Sequence, residues 1–497
     1  MGQLRFRLRD EVHQPRAEWL RRAYVTGPDC IPHRGTIELT EGELTCQRSN
    51  PESGRFHIPW PVSGYGMPMV ATATLCERPE PFELDLELAR GKLNDVRNQA
   101  SDWEQLGLEV PAEARQQIGK SLRLFARAAT AQGDPAARAQ ACRESLSASS
   151  GAARLLSRSY TEQILKKRRD GSGRLPTLFG FVLDPNDAKL GGVRSSLTDV
   201  ANAVTIRCSW AKVMSVEGKP RWDEIDAQIA WCRKRKILPM MGPLVEFRPS
   251  ALPDGIWLWE GDFEHIQAQA VDYVRQAVTR YRGKVATWRV THRVAAQEML
   301  GLAEDEQIRL IVRLIQEVKR WDPDTPLVID MDRPWAEWMT ASRFQLGPLH
   351  LADTLARADL GMSGIGIELA PGWTPYGSHL RDAFEVSRLL DLYKLVDLPL
   401  HVTIMIPSAT SPDSHATDGG AVDAAQWPAQ INDSTQFDMG SSWMALAVAK
   451  PFVRSVMWGV ASDANPGPFP HGGLLRADGS AKPMVEWMKK FRRGFLS

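Results

Sequence analysis

Several features are missing from this chain of 497 residues, and each absence narrows what it can be. No apolar run reaches the roughly 18 residues a spanning helix needs, so no membrane segment is expected. The opening residues, MGQLRFRLRD, carry charges where a signal peptide needs an apolar core, so a cytoplasmic protein is expected. Charge of one sign is also missing, because 61 Lys and Arg face 60 Asp and Glu. A net charge of +1 gives no global field to draw in nucleic acid or an anionic membrane, which favours a neutral or small partner. The six cysteines (30, 46, 76, 142, 208 and 232) contain no Cys-x-x-Cys pair, and reduced thiols are expected rather than disulfides or a metal site. No Gly-x-Gly-x-x-Gly follows a first strand, which removes the dinucleotide fingerprint; neither cofactor nor metal is called for. Tyrosine is scarce, with seven against seventeen tryptophans. Several indoles stand in loop-like contexts, and flat exposed indoles suit the C–H faces of sugar rings.

The length exceeds one ordinary domain, so two or three are expected. Residues 1–83 read as β-rich. Runs at 35–40, 42–46, 55–60 and 69–75 are short and alternating, with Gly, Pro, Asn and Ser between them. A small sandwich-like domain is predicted. Its Ile58-Pro59-Trp60-Pro61 stretch and Tyr65 are candidates for an accessory sugar-binding surface. Residues 84–174 switch to helical spacing, with Leu84, Leu88, Val96, Trp103 and Leu106 near one face. That helix should stop near Gly107. A second covers 113–131, and a third follows the Gly133-Asp134-Pro135 break. The third ends in a charged, Gly-rich run from Lys166, read as a solvated helix end rather than a nucleic-acid patch.

From residue 175 to 497 short apolar strands alternate with helices. The strand candidates are 178–183, 203–208, 238–245, 285–291, 326–331, 364–369, 399–406 and 454–460. Helices are expected between them, for example over 222–236, 263–280 and 305–320. Eight such units predict an α/β fold of the (β/α)8 TIM-barrel type. In that fold, functional groups stand just past each strand. Here those positions carry Asp184 and Asn186, Arg207 and Cys208, Glu246 and Arg248, and His292 and Arg293. The later strands carry Asp330, Asp332 and Arg333, then Glu368, then Thr403, Met405 and Ser408, then Trp458, Ser462 and Asp463. The loops add Trp257, Trp259, Trp335, Trp338, Trp373 and Trp427. Such a mouth suits a carbohydrate, preferably one bearing acidic groups.

From residue 178 to 491 the chain resembles glycoside hydrolase family 10, the endo-β-1,4-xylanase family. Thr205, Trp210-Ala-Lys-Val-Met214, Glu217-Gly218 and Trp222-Asp-Glu-Ile-Asp226 are similar to its second β/α unit. Met241-Gly-Pro-Leu-Val245 is similar to its third strand, and Tyr281-Arg-Gly-Lys-Val-Ala-Thr-Trp288 to the approach to its acid/base. Gly364-Ile-Gly-Ile367 resembles the sixth strand. Val456-Met-Trp-Gly-Val-Ala-Ser-Asp463, with the stretch from Gly473 to Pro483, resembles the eighth strand and tail. The resemblance implies a barrel acting on an oligo- or polysaccharide. It also exposes departures. The family's acid/base position holds Arg293, and its Asn neighbour holds His292. The nucleophile position holds Ile404, the strand-two Glu-Asn pair is Arg207-Cys208, and the strand-three His and Trp are missing.

Retaining hydrolysis needs two carboxyls about 5–5.5 Å apart, one to protonate the leaving oxygen and one to attack. A guanidinium gives up no proton at neutral pH, and isoleucine cannot attack. Glu246 and Glu368 are the candidate relocated pair, across the barrel at a wider, inverting-type separation, with His292 as general acid or base; alternatively they pair with Arg207, Arg248 or Arg293 in a structural rim network. Arg207, Arg293, Asp332, Trp335, Trp373, Trp458 and Asp463 are the candidate sugar contacts, and the arginines suit a uronate or sulfated sugar. Three readings stay open: a hydrolase with relocated groups, a non-catalytic glycan-binding barrel, or a scaffold for a protein partner.

Overall fold

Alternation in the strand Gly2–Arg7 buries Leu4 and Phe6 on one face. That strand lies in one four-stranded sheet, between Glu43–Arg48 and Phe82–Glu83, with Gly35–Thr40 at the edge. A second sheet of four strands pairs Tyr24–Thr26 with Pro32–His33 and Arg55–Pro59, and Arg55–Pro59 with Met69–Ala71. Phe6 of the first sheet stacks on Phe56 of the second at 4.9 Å, so the two sheets close on a shared core as a small sandwich. Trp60 belongs to this core at 2% exposure and offers no face to a sugar; of that candidate surface only Pro61 and Tyr65, both half-buried, reach solvent. The computed structural model describes residues 2–8, 17–48, 50–131, 134–184, 196–214, 220–293, 300–340, 342, 344–428 and 430–497. Asn186, Glu217 and Gly218 lie outside the described residues.

Three helices follow: Leu84–Gln105, Ala112–Thr130 and Pro135–Ser172. Gly107, at φ 77, follows the end of the first. Asp134 caps the third by accepting from the amide of Ala137, with Pro135 in its first turn. The second and third pack closely because small residues line their contact. Ser121 Oγ meets Ser145 Oγ at 2.9 Å and Ser149 Oγ at 2.7 Å, fully buried. Among the described residues no helix is long and apolar enough to cross a membrane.

The rest of the described chain forms a closed barrel of eight parallel strands. They are Leu178–Leu183, Ala203–Ile206, Leu238–Met241, Thr287–Arg289, Leu327–Met331, Gly364–Leu369, Leu400–Ile404 and Val453–Trp458. The eighth pairs back to the first, Ser455 opposite Leu178 and Trp458 opposite Phe181, which closes the ring. Each predicted strand is present; 178–183 and 364–369 match residue for residue, and the other six differ at one or both ends.

The sandwich and helices are tied to the barrel by polar contacts. The amides of Met67 and Met69 donate to the carbonyls of Gln426 and Leu380. Lys92 Nζ donates to Asp382 Oδ2 and Glu385 Oε1, both at 3.0 Å, at the start of the barrel helix Ala383–Tyr393. Arg55 and Arg388 share Asp95 at 2.5 and 3.0 Å.

Candidate active-site mouth

The centre of the mouth is built where strands three and four break and pair a second time. Strand three ends at Met241, and Gly242 follows at φ 132. A Cβ there would lie 2.0 Å from the carbonyl oxygen of Arg289, so the chain needs glycine. Beyond this kink Val245 pairs with Thr291 and Glu246 with His292. The extra ladder sets Glu246 and His292 side by side at the barrel's C-terminal end. Arg293 comes next, in the left-handed conformation at φ 61.

Arg293 is fully buried and draws three carboxylates together. Its Nη2 donates to Glu368 Oε1 at 2.5 Å, its Nε lies 3.4 Å from Glu246 Oε1, and its Nη1 lies 3.5 Å from Asp332 Oδ2. The rings of Tyr376 and Phe469 cover the guanidinium at 5.0 and 5.2 Å. His292 stands between the same two glutamates, with Nδ1 3.8 Å from Glu246 and Nε2 3.4 Å from Glu368. Arg248 Nε donates to Glu246 at 3.0 Å and its Nη1 to Asp418 at 2.5 Å. Arg207 Nη1 lies 3.7 Å from Glu246, and Arg333 Nε donates to Asp332 at 3.2 Å.

Four carboxylates (Glu246, Asp332, Glu368, Asp418) thus meet four guanidiniums (Arg207, Arg248, Arg293, Arg333). The cluster is charge-balanced within itself. Burial alone would raise the pKa of Glu246, but Arg248, Arg207, His292 and Arg293 hold it well below the usual carboxylate range. Burial likewise opposes ionisation of Asp332, and Arg333 and Arg293 outweigh it and lower its pKa. Burial works against the charge of Arg293 too, and Glu368, Asp332 and Glu246 overcome it. Neither Glu246 nor Asp332 holds a proton to donate near neutral pH.

Below the mouth, Arg289 grips Asp330 with two bonds of 2.8 and 2.6 Å and reaches Thr403 Oγ1 at 3.1 Å. Gly366 makes room for this pair, since a Cβ there would fall 1.7 Å from Asp330 Oδ1. Ile404, which the resemblance set at the nucleophile position, is fully buried.

The strand-end positions predicted from sequence therefore converge for Glu246, Glu368, His292, Arg207, Arg293 and Asp332. Four other predicted contacts do not join them. Trp458 lies outside the barrel wall, packed toward Gly440 of the helix Asp433–Ala449, with Nε1 bonded to the carbonyl of Gly472 at 2.8 Å. Alternation along the strand sent its side chain outward. Trp373 is 1% exposed, in a small core with Tyr376, Met405 and Phe469, and its Nε1 donates to the carbonyl of Pro470. Asp463 is held by Lys482 at 2.7 Å and by the amide of Gly473, a clamp within its own loop. Trp335 faces the sandwich, under Arg381, which bonds Tyr24 Oη at 2.9 Å. Trp427 is buried and Trp338 half-buried, which leaves Trp257 and Trp259, at 36% and 39% exposure, as the open indoles of the six loop tryptophans. Both sit in the short turn Asp254–Trp259 after strand three.

Sequence reasoning missed Asp418, Tyr376 and Phe469. Asp418 stands two residues before Gly420 at φ 54, a turn signal with no hint of its partner. The aromatics come from loops after strands six and eight, whose folding over the mouth has no local signature.

No family model matches this chain, and no curated protein matches it. Solved structures do. The native xylanase 10B from Thermotoga maritima aligns with a TM-score of 0.49 and 15% identity, over 67% of this chain and 96% of that one. A family 10 endoxylanase from a sugarcane soil metagenome aligns at 0.48 and 12%, over 64% and 96%. A xylanase 10B from Thermotoga petrophila, in complex with xylobiose, aligns at 0.47 and 15%, over 67% and 95%. The likeness is one of fold. Matches of this strength carry no argument about activity, and the barrel rests on its own strand ladder.

Proposed function

We propose that this chain is a glycan-recognising barrel that does not hydrolyse by the family's retaining mechanism. One observation carries the reading: buried Arg293 stands at the acid/base position and is ion-paired to both Glu246 and Glu368. The carboxylates that could serve as a relocated pair are consumed in neutralising it. The depressed pKa of Glu246 also removes it as a proton donor. Recognition is supported by Arg207, whose side chain is 20% exposed, and by the exposed indoles of Trp257 and Trp259 at the same end of the barrel.

The test is a reducing-end assay of the full chain on a panel of neutral and acidic β-glycans, run beside thermal unfolding with the same glycans. The expected outcome is a raised Tm with at least one glycan and no release of reducing ends. Arg207→Ala and Trp257→Ala should diminish the shift. Reducing ends released by the wild type and lost in Glu246→Gln or Glu368→Gln would establish a relocated catalytic pair instead. No Tm shift with any glycan would return the barrel to a scaffold role.

A further inference from the structure

A second cavity lies away from the barrel mouth, where the sandwich, the long helices and one barrel loop meet. It has a volume of about 810 Å³, within the usual range of ligand sites. Tyr65 of the sandwich forms one wall, and Trp427-Pro428 of the barrel closes one end. The remaining wall is the face shared by the second and third helices, with Gln117 and Lys120 from one and Arg143 and Arg154 from the other.

The charges on this wall are not balanced as they are at the mouth. Lys120 and Arg154 are exposed, and among the described residues no carboxylate lies in ion-pair range of either. Arg143 donates to Gln140 Oε1 at 2.7 Å. The single acidic lining residue, Glu144, accepts from Gln140 Nε2 at 2.7 Å. Three cations thus face one anion, in a chain whose overall charge is +1. Lys120 and Arg154, exposed on a concave surface with no carboxylate among the described residues in ion-pair range, are the reverse of what a purely structural seam needs.

The aromatic component is specific. Tyr65 is half-buried with its ring toward Arg154, whose guanidinium lies 6.0 Å from the ring centre. A phenol ring, two carboxamides and the hydroxyls of Ser63 and Ser147 around a cationic wall offer apolar stacking, hydroxyl partners and anion pairing together. A bare phosphate would use only the last of these.

We propose that this cavity binds an acidic oligosaccharide, one carrying at least two carboxylate or sulfate groups, with a sugar ring against Tyr65 and the anions on Arg154 and Lys120. The site is separate from the barrel mouth and does not depend on what the mouth does.

The experiment is calorimetric titration of the full chain with trigalacturonate, a sulfated chondroitin tetrasaccharide, neutral xylotriose and inorganic sulfate. At least one acidic oligosaccharide should bind, more weakly as salt rises. The double substitution Lys120→Glu/Arg154→Glu should weaken it at least tenfold. Its Tm should change little, because both side chains are exposed and neither is in an ion pair among the described residues. Tyr65→Ala should weaken the oligosaccharide while leaving any sulfate binding alone. Arg207→Ala, at the mouth, should leave acidic binding intact. The proposal is overturned by any of three results: no binding of either acidic probe, equal binding by the Lys120/Arg154 double variant, or loss through Arg207→Ala alone. The last of these would assign acidic-glycan binding to the mouth, and a failure here leaves the barrel reading standing.

Discussion

Arg293 decides the chemistry of the mouth at the scale of one side chain. A left-handed arginine is an uncommon backbone state that costs on the order of 1 kcal/mol or more, yet here the conformation is held by three carboxylates and two rings. Removing one partner from a buried ionic group leaves the others uncompensated. Arg293→Ala should therefore destabilise the fold by about 3–5 kcal/mol, read as a shift in urea midpoint. An unchanged midpoint would mean that the network is incidental. Gly366 gives a second residue-scale case. A methyl at that position overlaps Asp330 and must break its paired bonds to Arg289, so Gly366→Ala should cost roughly 1–3 kcal/mol by the same measurement.

At the scale of elements, the helix Leu84–Gln105 is the part that fastens the N-terminal half to the barrel. Lys92 projects from it, almost fully buried, onto the two carboxylates at the start of Ala383–Tyr393. Burial would lower the Lys92 pKa, but Asp382 and Glu385 raise it above the ordinary lysine value, so the charge persists. Lys92→Ala should cost roughly 1–3 kcal/mol, since two partly buried carboxylates lose a shared donor. Limited proteolysis should then cut the N-terminal half faster than in the wild type; unchanged proteolysis would count against the fastening role. These helices were legible in the sequence almost to the residue. Asp134-Pro135 marks a start, Gly107 follows an end, and apolar spacing fills the interior. All eight barrel strands were legible for the same reason, because apolar runs bounded by turn residues are local signals. The second pairing of strands three and four was not, since Val245–Glu246 finds Thr291–His292 only after the ring has closed.

The whole molecule carries an acid sensitivity that no single element explains. His379 is buried at the seam between sandwich and barrel, with Nε2 2.6 Å from Met67 O and Nδ1 3.2 Å from Arg22, near Glu337 and Arg381. Burial pushes its pKa down to about 4, and His401 inside the barrel goes down to about 3 by burial beside Arg289 and Arg454. Both are neutral in the fold and bind a proton more readily when unfolded. Stability is therefore full above the unfolded value of about 6.5 and is lost as pH falls from there toward the folded values. Glu246 adds a second loss below about 4.3, where the unfolded chain takes up a proton that the folded site refuses. Urea unfolding from pH 8 to pH 4 should show a plateau above pH 7 and a decline from about pH 6.5 that is shallower in His379→Gln. A flat profile between pH 7 and 5 would contradict the burial of both histidines.

The sequence by itself determined the order of elements, the closed barrel and the positions at strand ends that converge on the mouth. Those follow from periodicity, turn chemistry and the common direction of parallel strands. Through the family resemblance it also implied that hydrolysis by two family glutamates cannot run, because Arg293 and Ile404 stand where that resemblance places them. Only the tertiary structure decided which groups are spent on one another. From sequence, Glu246 and Glu368 read equally as a relocated pair or as rim partners of Arg207, Arg248 or Arg293; in the fold Arg293 bridges them. Trp373 and Trp458 read as sugar platforms until packing placed one under the mouth loops and the other outside the wall. The physical reason is range: secondary structure is set by neighbours in sequence, whereas burial and ion pairing are set by neighbours in space.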